Sequence, residues 1–216
     1  MNTRPPKVQP GKFITFEGGE GTGKTTQIAR LTAFLTGKGH AVVQTREPGG
    51  CQEAETIREL LVTGEPGRWK PLTETLLHFA ARNEHLERVV RPALEQGDWV
   101  ISDRFSDSTM AYQGYVQGIG KDVVKSLDAL VVGQTTPDLT IILDLPSQVG
   151  LSRAGARAGN EDRYEKMGDA FHAQLKEAFL DIAAQNSERC AVVSAEGSIE
   201  DVEARISAVV TERLGV

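Results

Sequence analysis

Lys24 and Thr25 stand near the end of the stretch GGEGTGKTT at residues 18–26, and an ammonium beside a hydroxyl at the end of a glycine-rich turn is suited to phosphate. Gly18 to Thr25 fits G-x-x-x-x-G-K-[ST], with the apolar run FITFE before it and a helical pattern after it, as the motif requires. Gly18, Gly19, Gly21 and Gly23 let the backbone curl so that several N–H groups converge on phosphate oxygens, with Glu20 and Thr22 between them and Thr26 just beyond. A helix starting near Lys24 adds the positive end of its dipole. Lys24 would reach the terminal phosphates of ATP, and the Thr25 hydroxyl would bind Mg²⁺. Average composition produces such a match in a chain of this length on the order of one time in a hundred. In WVISDR, residues 99–104, Asp103 ends an apolar run and would hold the same Mg²⁺, directly or through water; the alternative is a helix cap. Arg104, next to it, offers a planar fork for a second phosphate.

Further arginines follow the same logic. Arg46 lies in REPGG, Arg58 and Arg82 in the helical region after it, and Arg153, Arg157 and Arg163 in SRAGARAGNEDRYE. A glycine-rich arginine segment between helices is the layout of a lid, about 153–165, that closes over phosphates and excludes water. If the acceptor is a nucleoside monophosphate, its oxygen is already mostly ionised at neutral pH, so the protein has to position two anions and neutralise the transferred charge. That matches the lack of a convincing Ser–His–Asp constellation; His40 and His172 read as surface or helix residues. No N-K-x-D motif reads guanine, and only 6% of residues are aromatic, too few for the surfaces of a nucleic-acid motor.

These residues need a scaffold that brings loops to one edge. Continuous apolar runs at 13–17, 41–45, 99–103, 139–143 and 191–194 read as strands covered on both faces. Helical patterns run over 24–38, stopping at Gly39, over 73–96, kinked or divided at Pro92, over 170–185 and over 199–214. The alternation predicts a three-layer α/β fold, a five-stranded parallel sheet flanked by helices, with ligands at the strands' carboxyl ends. Residues 1–11, with three prolines, read as a flexible tail and 12–216 as a single domain. A hydrophobic fraction of 39%, a charged fraction of 25% and a net charge of −6 fit a soluble globular chain that does not lie on nucleic acid or anionic lipid. No apolar run suits a membrane span and the start lacks a secretory h-region, so a cytoplasmic location is expected, with Cys51 and Cys190 as reduced thiols.

FITFEGGEGTGKTT, TREPGG, FAARNEHLERVVRPALEQGDWVISDRF, DSTMAYQG, PDLTIILDLP and DRYE, in this order, resemble the thymidylate kinase family over nearly the whole chain from Lys12. The resemblance implies the P-loop kinase fold, phosphorylation of dTMP by ATP with Mg²⁺ in dTTP synthesis, and a homodimer. It implies that Glu20 holds the sugar 3′-hydroxyl, that Arg46 and Arg104 grip the acceptor phosphate, and that Arg82 bonds the thymine edge with Thr109 and Gln113 nearby. Tyr112 would pack on the sugar and disfavour a 2′-hydroxyl, and Glu47, Arg58 and Ser108 belong to the same dTMP site. The P-loop carries no arginine, so the catalytic arginine would come from the lid: Arg153, Arg157 or Arg163, with Arg153 and Arg163 favoured. Lys24, Arg104 and Glu20 would share the catalytic work. One position departs from the family: four residues before Arg82 stands His78 where phenylalanine usually stacks on the base, with Phe79 one step on; either could stack. Another kinase of this fold, or a P-loop regulator without transfer, are the competing readings.

Overall fold

The computed structural model describes residues 11–154 and 163–216. Five strands, β1 (Phe13–Glu17), β2 (Val42–Arg46), β3 (Trp99–Asp103), β4 (Leu139–Asp144) and β5 (Cys190–Ser194), form one parallel sheet in the order β2-β3-β1-β4-β5. The expected strands are all present, with boundaries differing by at most one residue at either end. Alternation along the strands splits the core by face. Ile14, Phe16, Ile101 and Ile141 pack with Ile28, Leu31 and Leu35 of α1 (Lys24–Gly37) and with Val202, Ile206 and Val210 of α9 (Ile199–Leu214). Phe13 and Val100 point the other way, onto Leu86, Val90 and Ala93, and Ile142 packs on Leu175 and Phe179 of α8 (Asp169–Gln185). Helices on both faces explain why the strands read as continuous apolar runs.

The helix expected over 73–96 begins two residues earlier as α3 (Pro71–His85) and ends as α4 (Arg91–Gln96). Its division does not sit at Pro92 but just ahead, in a π-helical turn over Leu86–Val90, where the Arg91 N–H reaches Leu86 O. The wider turn draws the preceding carbonyls away from the proline ring, so the helix continues without a break. Four helices were not delimited by the sequence patterns: α2 (Gln52–Val62), α5 (Ser106–Thr109), α6 (Lys121–Val131) and α7 (Ser147–Ala154). The first turn of α5 runs on as a second π-helical stretch, Met110–Val116. Ser198 caps α9 with Asp201 in a reciprocal capping box.

The expected tail at 1–11 lies outside the described residues except Gly11, whose N–H donates to Leu94 O at 3.0 Å. Of the expected lid, 155–162 and with them Arg157 lie outside the described residues.

Candidate active site

β1 ends and the chain turns back at residues 18–23 before α1 begins, which sets the start of α1 beside the end of β3, where Thr25 meets Asp103. Gly21 takes a positive φ of 67°, and a Cβ there would lie 1.9 Å from the carbonyl oxygen of Gly150 in α7. Only glycine lets that backbone pass so close. Lys24 is buried and its Nζ donates to Gly18 O and Gly19 O at 3.2 and 2.9 Å, along the inner edge of the loop. Burial pushes its pKa down, with Arg104 acting the same way. Thr25 Oγ1 lies 3.3 Å from Asp103 Oδ2, at the seam between α1 and β3. A hydroxyl and a carboxylate side by side at the phosphate end suit Mg²⁺, which takes few protein oxygens and completes its shell with water and phosphate. The same two residues are the ones the sequence singles out for the metal.

Beyond Asp103 the backbone turns sharply. Arg104 has φ 69°, the one non-glycine residue with a positive φ among those described. Such a conformation costs on the order of 1–3 kcal/mol and persists where neighbours over-determine it. They do: the Arg104 N–H donates to Phe16 O, and the next N–H, of Phe105, donates to Glu17 Oε1, both at 2.8 Å. The guanidinium is thereby aimed into the site. Its Nη1 donates to Gly18 O and to Ser108 Oγ, each at 3.1 Å, and its Nη2 to Glu20 Oε1 at 2.7 Å. Tyr112 Oη donates to the same Glu20 oxygen at 3.1 Å. Burial alone would raise the Glu20 carboxyl, but Arg104 and Lys24 outweigh it and bring its pKa to about 2.

Two cavities meet at this point. A cleft of about 1380 Å³ runs over the P-loop and is lined by Lys24, Thr25, Arg46, Arg58, Asp103 and Arg153. A pocket of about 130 Å³ lies between α3 and α5 and is lined by His78, Ser108, Thr109, Tyr112, Gln113 and Tyr164. Glu20, Glu47, Arg58 and Arg104 line both. Arg46 reaches Glu55 at 2.9 Å and Arg58 Nη1 reaches Pro48 O at 2.7 Å; Glu47 precedes Pro48 through a cis peptide bond.

Arg82 lies under the pocket rather than on its surface. It is only 2% exposed, donates from Nε to Glu47 Oε2 at 2.7 Å and from Nη2 to Thr109 Oγ1 at 3.0 Å, and its Nη1 is buried with no partner. His85 Nδ1 pairs with the other Glu47 oxygen at 2.9 Å. Between His78 and Phe79 the geometry is clear: His78 is on the pocket wall, whereas Phe79 is buried with the Arg82 guanidinium over its ring, 4.8 Å from the centroid. Burial pushes the His78 pKa down to about 4, so the imidazole is neutral.

One expectation needs correction. Arg163, one of the favoured catalytic arginines, does not line the cleft. It is 1% exposed, paired with the buried Glu74, and donates from Nη1 to Leu61 O at 2.9 Å. A guanidinium so enclosed by α2 and α3 anchors the end of the lid; Arg153 is the described lid arginine on the cleft. His172 lies in α8 as expected but is buried. Three residues that the sequence did not mark also belong to the site's frame. Glu17 is fully buried and holds the Arg104 turn through the N–H groups of Phe105 and Ser108 and, at 2.5 Å, the Ser108 hydroxyl. Burial first, and Asp107 second, raise its pKa to about 7. Glu74 and Tyr164 are the other two. The available signals were a glutamate closing a strand apolar but for Thr15 and a glutamate on the buried side of α3.

A glycine-rich loop after β1, an Mg²⁺-suited pair across α1 and β3, and a second pocket sharing Glu20 and Arg104 with the first are the arrangement of a P-loop kinase. Comparison with known proteins narrows the class. The family model for thymidylate kinase matches residues 16–206. The thymidylate kinase of Caulobacter vibrioides is 52% identical over 206 residues, covering 95% of this chain and 99% of that protein. That of Dinoroseobacter shibae is 47% identical over 204 residues, covering 94% and 98%. A crystal structure of thymidylate kinase from Ehrlichia chaffeensis superposes with a TM-score of 0.74 at 36% identity, covering 93% of this chain and 99% of that one. With relatives this close over nearly its full length, the chain belongs to the thymidylate kinase family and is a kinase.

Proposed function

We propose that the cleft over the P-loop takes ATP and the smaller pocket takes dTMP, and that the enzyme makes dTDP as a step toward dTTP. The observation that carries this is that Glu20 and Arg104 line both cavities, so ligands seated in the two would meet at those side chains. An oxygen of the dTMP phosphate attacks the γ-phosphorus of ATP, a new P–O bond forms, and the bond to the β,γ-bridging oxygen breaks, leaving ADP. Lys24, the loop N–H groups and Arg104 neutralise charge on the transferred group, with Arg153 as the lid's contribution and Arg46 and Arg58 on the acceptor phosphate. Mg²⁺ held by Thr25 and Asp103 would neutralise β- and γ-phosphate charge. Glu20 would take the 3′-hydroxyl, which its ionised carboxylate suits as an acceptor. Tyr112 would pack on the deoxyribose and His78 would stack on the base, while Arg82, beneath the pocket, would hold the lining residues Glu47 and Thr109 in place for the thymine edge.

The test is a coupled ADP-release assay across dTMP, dUMP, UMP, CMP and AMP. A strong preference for dTMP is expected; flat or absent turnover overturns the reading and returns the question to another acceptor or to a binder without transfer. Residues 12–216 would act as one domain, in the cytoplasm. No helix among the described residues is long and apolar enough to cross a membrane. A homodimer is proposed through α2 and α3, where Leu60, Leu72 and Leu76 are exposed. Light scattering after gel filtration should give twice the mass of the chain, and Leu76→Glu should halve it; a parent protein at single-chain mass rules the dimer out.

A further inference from the structure

Glu74 is fully buried on α3, outside every residue set assigned above to substrate. Four side chains donate to its carboxylate: Gln113 Nε2 at 2.8 Å, Gln117 Nε2 at 2.7 Å, Tyr164 Oη at 3.2 Å, and Arg163 in a buried ion pair. Burial alone would raise its pKa, but the hydrogen bonds from Arg163, Gln117 and Gln113 outweigh this and hold it below the ordinary value. The carboxylate is therefore ionised and can only accept.

That has a consequence for Gln113, which is 1% exposed and forms part of the acceptor pocket's wall. A glutamine amide has a donor end and an acceptor end and can rotate to offer either. Here rotation would set the amide oxygen against the Glu74 carboxylate, two acceptors face to face. The NH₂ is pinned to Glu74, and the carbonyl is the acceptor Gln113 keeps for a ligand. A 4-oxo pyrimidine presents a ring N–H donor next to its carbonyl; a 4-amino pyrimidine presents a bare ring nitrogen and an amino group instead. A fixed carbonyl suits the first and opposes a lone pair of the second.

We propose that Glu74 is a positioning residue for base selection, acting through the Gln113 amide to favour a 4-oxo over a 4-amino pyrimidine monophosphate. The proposal rests on the dTMP reading of the pocket and extends it to how cytosine is refused. Tyr164 is set by the same carboxylate: with its one proton donated to Glu74, its oxygen accepts from His78 Nε2–H at 2.9 Å, which fixes the tautomer of the stacking ring.

The experiment compares kcat/KM for dTMP and dCMP by ADP release in the parent, Glu74→Gln and Gln113→Leu. Glu74→Gln can accept where the carboxylate accepted and donate where rotation of Gln113 needs a donor. Its dTMP/dCMP ratio should fall about ten-fold or more, as loss of one paired buried group predicts, with the change mainly in KM. Gln113→Leu removes the acceptor together with one of the four donors to Glu74, and should narrow the ratio similarly. Gln117→Leu takes a donor from the same carboxylate but lies outside the pocket wall, and should leave the ratio unchanged. Equal loss for both substrates in Glu74→Gln, the result of a merely structural role, overturns the proposal while leaving the dTMP reading intact. If Glu74→Gln does not fold, an unmoved ratio in Gln113→Leu overturns it. A parent enzyme that ignores dTMP refutes the reading on which it stands.

Discussion

At the scale of single residues the site is a set of charges that would not tolerate one another's absence. Lys24 sits buried between Gly18 and Gly19 carbonyls, with Arg104 close enough to depress its pKa. Lys24→Ala should lower kcat by about a hundred-fold or more while circular dichroism and Tm stay near those of the parent; a near-normal rate would remove Lys24 from the chemistry. Arg82→Ala deletes the donors to Glu47 and Thr109, and should raise KM for dTMP about ten- to a hundred-fold with little change in ATP affinity. Equal losses for both substrates would take Arg82 out of the base site. Glu17 and Glu20 titrate in opposite directions. The folded pKa of Glu17, about 7, lies above its ordinary 4.5, so its contribution turns against the fold as pH rises from about 4.5 to about 7. The folded pKa of Glu20, about 2, lies below 4.5, so its contribution is present above 4.5 and lost as pH falls toward 2. Thermal melts of Glu17→Gln and the parent should therefore diverge in the variant's favour between pH 5 and 8; a pH-independent gap would contradict the raised Glu17 pKa.

At the scale of elements, what the sequence made legible was whatever the chemistry needs in one contiguous string. The P-loop, the strand-end Asp103–Arg104 pair and the apolar strands were readable because each is local. The helices α2, α5, α6 and α7 were not delimited, since short elements such as α5 carry few periods of any pattern and pass into a π-helical stretch. Partners across long separations were unreadable for a different reason. Arg163 and Glu74 lie 89 residues apart, and nothing near Arg163 distinguishes an arginine that will be buried from one that will face phosphate. Its neighbours in sequence argued for the lid; the burial of Glu74, which needs a cation, decided otherwise. His78 was legible as a departure, but its hydrogen bond to Tyr164 was not. The contact between α7 and the P-loop yields an element-level prediction. Gly21→Ala meets Gly150 O and forces a side chain to positive φ, so ATP affinity should drop while dTMP affinity is kept. Unchanged ATP affinity would show that the loop yields at that contact.

At the scale of the whole molecule, net charge and local charge have opposite signs. The chain carries −6 overall, yet among the residues lining the cleft at the carboxyl end of the sheet Lys24, Arg46, Arg58, Arg104 and Arg153 outnumber Glu20, Glu47, Glu55 and Asp103 by one. A field focused there would draw in anionic nucleotides that the remaining surface repels. Raising ionic strength from about 0.05 M to about 0.5 M should therefore raise KM for dTMP with little effect on kcat; a KM indifferent to salt would remove long-range steering. Parallel strands make this concentration possible, because every strand delivers its following loop to the same edge.

The left-handed turn at Arg104 also limits how this enzyme can evolve. Glycine there would relax the backbone but carry no cation; lysine would keep the charge, lose the planar fork and inherit the same torsion. No single replacement preserves both, so a drug gripping that guanidinium would leave a pathogen bearing such a site few viable routes to resistance.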